Sequence, residues 1–85
     1  MSGYVELNRT VLKQLRKVNG LSQEQLAFSC SEQMIFLSLS TIKRAETGKS
    51  VLYRSASQFA RFYKVPMQQL LANQPSASAA WVRTL

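Results

Sequence analysis

Two stretches of the chain run from a helix-capping side chain to a glycine: Asn8 to Gly20, and Ser38 to Gly48. Between them Ser22 opens a third, with Gln25 three residues on to complete a capping box. A helix leaves its first N–H groups and last carbonyls without internal partners, so residues that satisfy them mark where it begins and ends. That punctuation confines the chain to short helices joined by tight turns.

The apolar spacing agrees. Val11, Leu12, Leu15 and Val18 recur at intervals of three and four, which makes one stripe on a first helix from Asn8 to Val18. Lys13, Arg16 and Lys17 lie beside or opposite it. Asn19-Gly20 closes this helix, and Leu21 precedes the Ser22 cap as a hydrophobic staple. Leu26, Ala27 and Cys30 turn inward on the second helix. In "SCSEQMIFL" the serines and Glu32 read as a break, giving an extended, partly buried connection. A third helix spans Leu39 to Thr47, with Ile42 and Ala45 inward. A fourth covers Tyr53 to Lys64, with Ala56, Phe59, Ala60 and Tyr63 on one face. Val65-Pro66 breaks the chain before a short fifth helix, Pro66 to Ala72, carrying Leu70 and Leu71. No strand pattern and no internal repeat is visible. The expected fold class is therefore all-α, a compact five-helix domain over residues 1–73. Residues 74–85, rich in Ser and Ala, read as a linker or flexible tail.

Charge narrows the function. Eleven Lys and Arg against four Glu leave a net +7 on 85 residues, a balance that fits an acidic partner, nucleic acid before membrane. With no His and one Cys, neither a zinc site nor an internal disulfide can be assembled, and Cys30 reads as a small buried apolar residue. No cofactor is expected. Glutamates at 6, 24, 32 and 46, with no His or Asp, provide no acid–base pair, which points away from an enzyme. The start "MSGYVELNRT" has no secretory h-region, and the longest run of large aliphatics and Phe, Met34 to Leu37, is far short of a membrane span. A cytoplasmic protein without membrane association is expected.

The stretch "LSLSTIKRAETGKS" is the most informative. Its helix has an apolar anchor in Ile42 and Ala45 and an outward face of Leu39, Ser40, Lys43 and Arg44. A helix read into the major groove needs that division, and it must be short. Arg44 can fork onto guanine, Ser40 can reach a base or phosphate, Leu39 can meet a thymine methyl, and Lys43 can bind phosphate or guanine. Ser22 and Gln23, at the positive end of the second helix, suit a phosphate, as do Lys49 and Arg54 flanking the next loop. Arg16 and Glu46 can pair across the first and third helices. Ser22 and Ser38 are caps in any reading, and Lys43-Arg44 alone reads as a solvated face. Only their combination points to a groove.

At these residues the chain resembles the Cro/phage-repressor helix-turn-helix family of the xenobiotic-response-element type. The matching stretches are "LKQLRKVNGLSQEQLA", "LSTIKRAETGK" and "SQFARFYKVPMQQLL", so the resemblance covers Leu12 to Leu71. It implies a five-helix bacterial or phage-type transcriptional regulator that binds operator DNA, with Gln23 on the DNA backbone and Leu39, Ser40, Lys43 and Arg44 at the reading positions. Two departures stand out. Leu26 and Ser38 are twelve positions apart, against seven in the family pattern, and Ala45 replaces a large apolar residue before Glu46. The long turn also resembles regulators in which this module is N-terminal to a C-terminal effector domain. A homodimer formed through the fifth helix or the tail around Trp81 would suit two half-sites. Met34, Ile35 and Phe36 in the turn read as a contact surface and leave open a second reading, a protein-interaction domain on the same scaffold.

Overall fold

A computed structural model describes residues 3–72. The expected tail 74–85 and the Trp81 contact lie outside them. The elements run β1 (Tyr4–Val5), α1 (Arg9–Val18), α2 (Gln23–Glu32), α3 (Leu39–Glu46), β2 (Val51–Leu52) and α4 (Tyr53–Tyr63), followed by a 3₁₀ turn at Met67–Gln69. The domain is thus mostly helical, with four α-helices and a small two-stranded sheet. No described helix is long and apolar enough to cross a membrane.

Three of the four helices begin at a capping side chain, and α4 follows directly on Leu52 without one. The Asn8 side chain accepts from the N–H groups of Thr10 and Val11 at 3.0 and 3.2 Å. Ser22 Oγ accepts from Gln25 N–H at 3.1 Å, while Gln25 Oε1 accepts from Ser22 N–H at 2.8 Å. Ser38 Oγ accepts from Thr41 N–H at 3.2 Å.

All four helices end on a left-handed residue: Gly20, Met34, Gly48 and Lys64. In each, the residue after it donates back across the last turn: Leu21 N–H to the Arg16 carbonyl, Ile35 N–H to Cys30, Lys49 N–H to Arg44 and Val65 N–H to Ala60. These are Schellman closures, which satisfy carbonyls the helix leaves open. The α2 closure corrects the sequence reading. Residues 29–32, expected in an extended connection, are helical, and the turn starts only at Gln33. Leu26 and Cys30, one turn apart and fully buried, hold α2 on the core through the serines. The connection then alternates, with Ile35 and Leu37 buried and Met34 and Phe36 exposed.

The expected all-α, five-helix arrangement is corrected at both termini of the domain. Tyr4–Val5 pairs antiparallel with Val51–Leu52, and Leu7 bridges to Leu71. Asn8 N–H donates to the Leu70 carbonyl at 2.7 Å, and Ala72 N–H to that of Glu6 at 3.0 Å. The backbone at 70–72 is therefore engaged with the N-terminal segment, and the fifth helix shrinks to one 3₁₀ turn. Leu7, Leu70 and Val51 close the core here, beneath Phe59 of α4. Val18 departs too: expected on the α1 stripe, it is 76% exposed, because the chain turns away at Asn19-Gly20.

Candidate nucleic-acid interface

α3 packs against α1, α2 and β2, so its orientation is held from three sides. Its inner face is Ile42, Ala45 and Glu46, the last only 2% exposed. A buried carboxylate is costly unless it is paired and hydrogen-bonded. Here Glu46 Oε2 accepts from Arg16 Nε at 2.8 Å, and Oε1 accepts from Arg16 Nη2 at 2.9 Å and Gln23 Nε2 at 3.0 Å. Arg16 Nη1 also donates to the Leu21 carbonyl at 2.9 Å. The bond to Glu46 raises the Arg16 pKa against the opposing effect of burial, so the guanidinium stays charged. One carboxylate thereby ties α1, the start of α2 and the end of α3 together.

The outer face of α3 carries Ser40, Lys43 and Arg44, all exposed, while Leu39 is half-buried. Arg44 folds toward the following loop, where Nη2 donates to the Ser50 carbonyl at 3.0 Å. Its other N–H groups stay available, and its position is steadied beside the start of β2. Lys49 and Arg54 are also exposed on either side of β2, Arg54 in the first turn of α4.

The α2 end differs from the sequence picture. Gln23, expected to meet phosphate, spends its amide on Glu46. The Ser22 hydroxyl is engaged as a cap. What this end offers an anion is the main-chain N–H groups of the first turn, with the Glu24 side chain alongside. Exposed cations beside α3 are Lys43 and Arg44 on the helix itself, Lys49 in the loop to β2 and Arg54 in α4, while Arg9, Lys13 and Lys17 are exposed on α1.

Behind the interface, burial pushes the Cys30 thiol up to about 11. Burial first, then the Glu46 charge, raises the Tyr63 hydroxyl. Neither ionises near neutrality. One half-buried residue escaped the sequence reading, and Phe36, read there as part of a protein-contact surface, takes a place beside it. Thr41, on the flank of α3, lines one groove with Phe36, Ser38, Leu52 and Arg54, and a second with Arg44 and Ser50. Phe36 is 80% exposed at the mouth of the first. The signal was present in the apolar run Ile35-Phe36-Leu37 before a cap: an extended run there puts its central residue on the opposite side from its neighbours.

No family model, curated protein or solved structure matches the chain. The functional reading rests on its own residues.

Proposed function

We propose that this chain is a sequence-specific double-stranded DNA-binding module of a transcriptional regulator, with α3 entering the major groove. The observation that carries this reading is the division of α3. An eight-residue helix is anchored on Ile42, Ala45 and a Glu46 bonded to two other helices, and it turns Ser40, Lys43 and Arg44 outward. Rigid presentation of a short polar and cationic face is what base reading requires, because side chains must meet donor and acceptor patterns without reordering the backbone. Lys49 and Arg54 flank that face as phosphate contacts, and the net charge of +7 supplies long-range attraction. Base reading falls to Ser40, Lys43 and Arg44, with half-buried Leu39 at the edge of the contact. Arg16 and Glu46 serve as the internal brace, and no catalytic residue or cofactor is assigned.

A second reading, docking of another protein, is favoured by exposed Phe28 and Met34, which lie on α2 and its closing turn rather than on the cationic face.

Titration of a labelled duplex at several salt concentrations separates the two. DNA binding predicts that log K falls linearly with log salt, by about 0.9 for each phosphate neutralised. Lys49→Ala and Arg54→Ala each flatten that slope by about one unit across all sequences, whereas Arg44→Ala weakens chosen sequences selectively. Absence of duplex binding at moderate salt, with a protein complex that survives Lys43→Ala and Arg44→Ala, would favour the second reading.

A further inference from the structure

Phe36 has the largest fractional exposure among the large apolar side chains of the described residues, at 80%. It is not on a loose segment. Ile35 and Leu37 on either side are buried, at 4% and 6%. Ile35 N–H closes α2 on the Cys30 carbonyl at 2.8 Å, and Ser38 caps α3. With backbone fixed before and after it, the ring is held in the water at a defined place. That place is two residues ahead of the α3 cap, at the helix end that leads into a groove.

The surroundings argue for what meets the ring. Phe36, Ser38, Thr41 and Arg54 line a groove of about 690 Å³. Thr41 passes from this groove into the next, where it stands with Arg44 and Ser50. The ring, Thr41 and Arg44 therefore share one flank of α3, with the Arg54 cation on the groove wall. One cation in the ring's own groove and a second in the next, with no acid lining either, favour a polyanion over a basic or neutral protein surface. A phenyl ring has neither donor nor acceptor, so within a major groove it can distinguish bases only by their apolar feature, the C5-methyl group of thymine.

We propose that Phe36 is a specificity-determining residue that reads a thymine methyl beside the bases met by the first turn of α3. This rests on the DNA-binding reading above and adds to it a contact outside the helix. Because the ring is exposed, Phe36→Ala leaves the fold intact, which a thermal melt verifies.

The test uses a duplex enriched by the full chain from random sequence, with each thymine in turn replaced by uracil, which lacks only the methyl. Wild type is expected to lose about fourfold in affinity at one thymine, the value of a single methyl contact. Phe36→Ala is expected to bind the thymine duplex about that much more weakly and to be indifferent to the replacement. If wild type and Phe36→Ala respond alike at every thymine while the enriched motif persists, this proposal is overturned and DNA reading by α3 is not. An intact DNA profile in Phe36→Ala, joined to loss of a protein complex, overturns it likewise and assigns the ring to that complex. No enrichment by wild type overturns both.

Discussion

Met34 occupies the left-handed conformation, at φ 60°, that Gly20 and Gly48 supply at the ends of α1 and α3. For a side-chain-bearing residue that conformation costs on the order of 1 kcal/mol. Met34 is 69% exposed, so its side chain recovers little by packing. Met34→Gly is therefore expected to stabilise the domain by about 0.5–1 kcal/mol, the relieved strain exceeding the added entropy of the unfolded chain. A urea melt checks it, and destabilisation would contradict this closure of α2. The same position explains why the second helix was misplaced from sequence: its stop has no glycine or asparagine to announce it, while Ser29 and Ser31 offered a false break.

Ionisation of buried groups sets a second residue-scale expectation. Below pH 9 the Cys30 thiol is protonated in both the folded and unfolded chain. Between its ordinary value of 9.0 and about 11 only the unfolded chain gives up the proton. Stability is thus full below pH 9 and declines as pH rises through that window, on the order of 2 kcal/mol. Tyr63, also raised by burial, adds in the same direction from pH 10 upward. Denaturation midpoints at pH 8 and pH 10.5 should show the fall, and Cys30→Ala should reduce it. A midpoint that is unchanged at pH 10.5 would contradict burial of the thiol.

At the scale of elements, the Glu46 cluster decides whether α3 keeps its orientation. Removing Arg16 leaves the Glu46 carboxylate buried without its charge partner, a loss of about 3–5 kcal/mol, whereas removing Glu46 leaves a half-buried guanidinium that water can still reach, a smaller loss. Arg16→Ala should approach that cost and Glu46→Ala should fall below it, while the double variant Arg16→Met, Glu46→Leu should cost much less than their sum. Additive losses would show that the pair is not the brace described here. This link was legible in advance because Arg16 and Glu46 each border the apolar positions of their helices. Gln23 as its third member was not, since nothing local distinguishes an amide aimed at DNA from one aimed inward. The helices themselves were legible wherever a cap and a stop coincide. The strands were not: β1 and β2 are two residues each, too short for a period to emerge. The fifth helix was over-read from Leu70 and Leu71, because a single turn is a poor nucleus and long-range pairing with Glu6 and Asn8 claimed its backbone.

For the whole molecule, the exposed cations are spread over α1, α3, the loop to β2 and α4, so charge alone does not single out a face. The N-terminal segment, β2 and the turn after α4 close the core at one end. α3 and the cations of its following loop face out beside β2. The one buried acid, Glu46, is already paired, so it does not offset those cations at the surface. On the proposed reading, attraction to a polyanion follows from the net charge of +7, and selectivity would come from Ser40, Lys43 and Arg44 on a braced helix. The central claim is therefore base reading by α3. Selection of binding sites from random duplex DNA, run with wild type and Arg44→Ala, tests it most directly. The account predicts an enriched motif in wild type, and the same motif with one position relaxed in Arg44→Ala. Enrichment of no motif, with retention that only tracks low salt, would contradict it.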